Sequence, residues 1–379
     1  MSLDMDKKVL SMSFIFLLVG IIVSAVIHVM LLPENERRNT KSAPYGIALE
    51  AREKFADSVN DTLGGKEAKL GLAYLVGMKD GLDKGTQEML KAVGLTHLVV
   101  ASGTHLSIIA EFFKKRFGKI SRFAGLLFSL LFIFLFGQII GWTASITRAV
   151  IVSTLSLLSW YYGRKVDAPR IILIAMAITL MINPLYVVDL GWQLSFASFT
   201  GILIIGPILT EFFYGRRRPK EKLSSWKKRA PGVVAEMFFA SVSAVLMCSP
   251  ILFYSFGSLS LISIVANLLI MPTIAVAMGL TFLTGLVGFL PNFFLFDWMR
   301  FVVAKVTGLL LDYHLFVMEF FSKQTAFIIT IEKHSALIFL LYIPIIIMIS
   351  AYYIKRMKRA KTARLRVYSN PAKYLPYTV

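Results

Sequence analysis

Long apolar runs alternate with short basic clusters along this chain. Apolar stretches recur near residues 9–32, 94–113, 122–141, 145–163, 169–188, 192–213, 233–254 and 335–354. Each is close to the roughly 20 residues that a helix needs to cross a bilayer. Backbone groups in lipid must be satisfied within the chain, and runs of this length do so as helices rather than as barrel strands. Residues 256–290 are also apolar but hold Pro272 near their middle, which predicts one long kinked helix or two short spans. Residues 300–323 mix Lys305, Asp312, His314 and Glu319 with apolar neighbours, a pattern suited to a helix lying in the membrane interface. The expected fold is all-α: a polytopic membrane helical bundle of about ten spans, counting 256–290 as two, with broken or re-entrant helices and an interfacial helix.

Composition agrees with the pattern. Hydrophobic residues make up 56% of the chain and charged ones only 17%, too little polar surface for a soluble domain of 379 residues. A single cysteine, Cys248, lies in an apolar run, so neither an intramolecular disulfide nor a cysteine-rich metal site is possible. The apolar core that starts at Val9, after Lys7 and Lys8, is longer than the apolar region of a signal peptide and reads as an uncleaved anchor helix.

Charge then orients the spans. Basic clusters lie at 114–122, 163–170, 215–229 and 355–366, and basic loops favour the cytoplasmic side. That rule places both termini in the cytoplasm, in a multi-pass protein of the cytoplasmic (inner) membrane. It leaves 33–92, 141–144 and 189–191 outside. The formal charge of +19 is then largely a topology signal. Residues 33–92 carry ten basic and ten acidic side chains, so they form no basic landing surface for a polyanion. The divisions are an anchor (1–32), a short extracytoplasmic segment (33–92) with an amphipathic helix within 47–70, a membrane domain (93–354) and a basic cytoplasmic tail (355–379).

Polar groups at membrane depth need a reason to be there. In GLTHLVVASGTHLSII, a helix aligns His97 and Thr104 on one stripe and Ser102 and His105 on the next. Ser102 and Gly103 mark a point where the helix can break. The bland reading is packed, neutral histidines and hydroxyls bonded back to helix carbonyls. A metal site is not expected, because the histidine spacing of eight matches no ligand motif. In GWTASITRAVIV, Arg148 follows Thr143, Ser145 and Thr147 about one turn inside the outer edge, where it either lines a route or snorkels outward. In NPLYVVDLGWQLSFASFTGIL, Asp189 sits at the outer mouth as a cap or a contact, and Gln193, Ser195, Ser198 and Thr200 continue inward. Asn267, five residues before Pro272, either satisfies the carbonyl that Pro272 frees or faces a path. Four segments thus carry polar groups from the outside inward, which suits a translocation path better than one sealed apolar interior.

These segments, with LVGMKDGL before them and SPILFYSFGSLSLISIVANLLIMP after them, resemble in order the competence domain of ComEC-type DNA-uptake channels, from about Gly71 to Pro291. Thr104 stands where that family usually has an aliphatic residue, and Trp192 where it usually has Phe. The resemblance implies passage of single-stranded DNA through the membrane during natural transformation. Segment 33–92 is too short and too neutral for the outer OB-fold domain of larger members, and no His-x-His-x-Asp-His run of their nuclease domain is present. DNA capture, strand degradation and cytoplasmic motor work are then expected of separate receptor, nuclease and motor proteins, or of further parts of a longer chain. On this reading Arg148 offers a planar fork to phosphate, Trp142 and Trp192 offer stacking surfaces, and His97, Ser102, Thr104 and His105 offer hydrogen bonds. Gly103, Ser145, Asp189, Gln193, Ser195 and Asn267 complete the candidate path. No cofactor is implied. The alternative is a small-solute or anion transporter with broken helices, against which stands the lack of a clear internal repeat. A membrane-embedded enzyme is not expected, since no nucleophile–base motif or metal pair occurs.

Overall fold

The protein is described from a computed structural model that covers residues 2–31, 46–78, 81–96, 103–163, 168–214, 232–291, 294–324, 328–330 and 336–352. Its helices are α1 (Ser2–Leu31), α2 (Ile47–Leu63), α3 (Gly65–Val76), α4 (Lys84–Ala92), α5 (Gly103–Phe117), α6 (Arg122–Ile140), α7 (Ala144–Tyr161) and α8 (Ala168–Ile182). They continue with α9 (Leu190–Tyr214), α10 (Val233–Phe256), α11 (Ile262–Gly288), α12 (Phe294–Ser322) and α13 (Tyr342–Tyr352). Five of these, α6, α9, α10, α11 and α12, are long and apolar enough to cross a membrane by length and composition, and α1, α8 and α13 contribute shorter apolar stretches. The chain is an all-α polytopic membrane protein. Large apolar side chains such as Leu127, Phe134, Leu283 and Phe316 face outward, as a lipid-solvated bundle requires.

The expected tally of about ten spans is not reproduced. Residues 262–288 form one continuous helix, α11, with Pro272 inside it, rather than two short crossings. Neighbouring hydroxyls support the backbone there: Thr273 Oγ1 donates to the Ile270 carbonyl at 3.0 Å. The stretch expected to lie in the interface is instead the second arm of an antiparallel hairpin. Helix α12 packs along α11, and Thr284 and Thr307 meet hydroxyl to hydroxyl at 2.9 Å. His314 is fully buried and lies 2.8 Å from Thr273. Its polar residues divide between this seam and an outer groove, which is why the sequence reads as interfacial.

Among the described residues four apolar clusters hold the bundle, the smallest made of Phe253, Leu259 and Ile338. The largest joins α2, α3 and α4 to the α11–α12 hairpin through Val59, Leu70, Tyr74, Leu90, Ala266, Ile270 and Leu311. A second joins α5, α6 and α7 through Leu106, Ile133, Ile146 and Leu157. A third joins α1, α7, α8 and α9 through Ala25, Ala144, Ala175, Leu180 and Trp192. The expected helix over 47–70 is two helices broken at Gly64 and Gly65, both at positive φ, and it belongs to the largest cluster rather than standing apart. Two short antiparallel strands, β1 (Ser258–Ser260) and β2 (Ile328–Thr330), pair Leu259 with Ile329.

Candidate functional site

The polar segments of α7 and α9 meet where these two helices begin. Gly141, at φ 97°, turns the chain out of α6. Thr143 caps α7: its Oγ1 accepts from the Ile146 amide at 3.4 Å, and Thr147 Oγ1 donates to the Thr143 carbonyl at 3.0 Å. On the other side, Asn183 caps a short 3₁₀ turn (Pro184–Val188). Asp189 then caps α9, its Oδ1 accepting from the Trp192 amide at 2.8 Å. Ser145 Oγ donates to the Gly191 carbonyl at 3.1 Å and ties the two helix starts together. A Cβ at Gly191 would stand 3.0 Å from the Asp189 carboxylate and 3.5 Å from Ser145, so glycine is what allows the approach. Gln193 Nε2 donates to the Val187 carbonyl at 2.8 Å and fixes the turn to α9.

One turn into α7, Arg148 is 6% exposed. Its guanidinium carbon lies 5.3 Å from the centre of the Phe199 ring on α9. Its buried Nε has no hydrogen-bond partner, and among the described residues no carboxylate pairs with the guanidinium. The guanidinium is stacked on an aromatic face nearly three turns along α9, deeper than the helix starts, and without a carboxylate partner it is a candidate contact for an anion. The sequence singled out Arg148 but not Phe199; a phenylalanine in an apolar helix carries no local mark of that contact.

Other expected residues have different roles. Trp192 is buried in the third cluster, where its Nε1 donates to Thr179 Oγ1 at 3.0 Å and its ring meets Phe196 at 4.6 Å, so it is not an open stacking surface. Trp142 is half-buried against α6, its ring 5.5 Å from that of Phe134 and 3.2 Å from where a Cβ on Gly137 would stand. The Ser195 carbonyl accepts from Ser198 Oγ at 3.0 Å, an internal helix bond. Asn267 is 8% exposed on α11. Its Oδ1 is unpartnered, and no bond reaches the carbonyl freed by Pro272 among the described residues. His97 and Ser102 lie outside the described residues. Gly103, Thr104 and His105 are helical at the described start of α5, and the side chains of Thr104 and His105 lie outside the description. The basic stretches at 216–229 and 355–366 also lie outside it. No cluster of metal-ligating side chains occurs among the described residues.

Fold and site together define a helical membrane protein with a buried arginine between α7 and α9 that no carboxylate pairs among the described residues. The chain belongs to the Competence protein family, whose pattern it matches over residues 74–357, about three quarters of its length. It is 26% identical over 228 residues to ComE operon protein 3 of Bacillus subtilis (strain 168), a match covering 59% of this chain and 27% of that relative. The chain thus corresponds to about a quarter of the relative's length. No solved structure matches it.

Proposed function

We propose that the chain forms a membrane route for single-stranded DNA entering the cytoplasm during competence. Family membership and the likeness to ComE operon protein 3 support a role in DNA uptake, and the buried Arg148, with no carboxylate partner among the described residues, is the observation that carries the finer reading. A guanidinium without a protein carboxylate is available to a phosphate, and its planar fork suits one. On this reading α7 and α9 form the wall beside the entrance, and the segment from His97 to His105 continues it inward. Receptor, nuclease and motor functions come from other proteins or from further parts of a longer chain. The route runs through the cytoplasmic membrane from the outer face.

The test is binding of a fluorescent single-stranded oligonucleotide to the purified, detergent-solubilised full chain at increasing salt, with Arg148→Ala beside it. Salt-dependent binding that weakens in the variant supports the reading. Binding of small anions but not of the oligonucleotide assigns the same site to an anion transporter instead.

A further inference from the structure

Helices α2, α3 and α4 follow the α11–α12 hairpin from one end to the other. At the hairpin's closed end, the Arg300 guanidinium donates to the carbonyls of Val287, Gly288 and Leu290. At the same end Ser58 Oγ donates to the Gly285 carbonyl at 2.8 Å, Phe55 fills the space beside Gly285, and Ser58 and Thr62 crowd Gly288. Further along, Gly71 fits against Thr281 and Leu311, where a Cβ would stand 2.6 Å from Thr281 Oγ1 and 3.2 Å from Leu311. The Tyr74 ring then meets His314 edge-on at 5.7 Å. At the far end, Gly94 rests on Ser263, with a Cβ position 2.8 Å from the serine Cβ. From Gly288 back to Ser263 is about 37 Å of helix at 1.5 Å per residue. The hydrocarbon core of a bilayer is about 30 Å thick.

We propose that the stretch from Phe55 to Gly94 crosses the membrane beside α11 and α12 as a broken helix, leaving α2 and α4 at opposite faces. Exposure falls to a buried stretch between the two ends, although Lys66 and Lys69 on the first turns of α3 are exposed. Glu53, Lys54 and Asp57 on α2 are exposed, as are Lys84, Glu88 and Lys91 on α4, while Leu70 to Val76 between them are buried. Glycines at 64, 65 and 77, all at positive φ, punctuate the crossing. The basic run at 215–229 precedes α10, so α11 starts outside and ends at the cytoplasmic face. Helix α2 then lies at the cytoplasmic face and α4 at the outer one. This replaces the expectation that 33–92 is wholly outside, and with α1 as a crossing it puts the start of α1 outside as well. Glu67, Lys305 and Asp312 line a groove of about 310 Å³ between α3 and α12, and no ion pair joins them to any described residue. Ionisable groups at that depth require water, so the groove is a recess wetted from the cytoplasmic side. The placement does not depend on what the protein carries.

Three single cysteines in a Cys248→Ser full-length background test this: Asp57→Cys, Glu88→Cys and Lys305→Cys, with lipid-facing Leu283→Cys as control. Each is treated with a membrane-impermeant thiol reagent on intact and on permeabilised cells, normalised to protein level. Position 88 is expected to react in intact cells, and positions 57 and 305 only after permeabilisation. Position 283 is expected to stay unreactive. Reaction of 57 and 88 from the same side overturns the crossing. A position 305 as inert as 283 overturns the wetted recess.

Discussion

Arg148 is the residue whose environment departs furthest from its chemistry. Burying a charge without a partner costs stability, so replacing it with an apolar side chain of similar length should not weaken the fold. Arg148→Met is therefore expected to melt at or above the wild-type temperature in detergent, while transformation frequency per unit of membrane protein falls roughly 10- to 100-fold, the cost of one charge-assisted contact. Arg148→Lys should recover only part, because an ammonium lacks the planar fork. A variant that loses stability and uptake together would mark Arg148 as structural. Trp192 gives the opposite expectation. Its indole N–H bonds Thr179, which itself donates to the Met176 carbonyl at 2.8 Å and stays satisfied when the indole is removed. Trp192→Phe should cost about 1 kcal/mol by thermal melting and leave uptake unchanged. Tyr74 carries a fully buried hydroxyl with no partner, so Tyr74→Phe should be neutral or stabilising in the same measurement. The sequence showed which polar residues sit at membrane depth. It did not show which of them are already spoken for, because Thr179 is thirteen positions from Trp192 and Phe199 lies on a different helix from Arg148.

Helices were legible where an apolar run and a polar stop coincide. The spans expected at 122–141 and 233–254 appear as α6 and α10 within two residues at each end. Pro272 left one kinked helix and two short spans both open, and α11 continues through it as one helix. Helix α9 holds a feature with no sequence mark at all, a π-helical turn from Gly201 to Ile205. Gly201 faces the Ser243 carbonyl on α10 so closely that a Cβ there would collide with it, and the next contact, with Met247, is at 3.0 Å. Gly201→Ala should push the two helices apart and lower stability by about 1–3 kcal/mol. Ser243→Ala should not relieve it, because the obstruction is backbone. Thermal melting of the single and double variants checks both statements.

At the scale of the molecule, apolar runs and basic clusters were enough to predict a polytopic helical bundle, but not how its pieces are wrapped. Segment 33–92 is balanced in charge and has no long apolar run, so nothing local reveals that α2 and α3 join the largest cluster. That information sits in pairs such as Ser58 and Gly285, 227 positions apart. The strand pair is another such long-range tie. It joins the turn before α11 to the chain after α12, and the Tyr342 hydroxyl donates to the Met247 carbonyl at 3.1 Å, seating the start of α13 on α10. Ser260 and Ile328 can meet only after both arms of the hairpin are in place, so this clasp closes late, when the long loop it spans has already been shortened by helix packing. A chain released during synthesis before residue 328 would carry a finished hairpin and an unfastened outer edge. The turn at Gly257 would then stay open to quality-control proteases until β2 and α13 had been made.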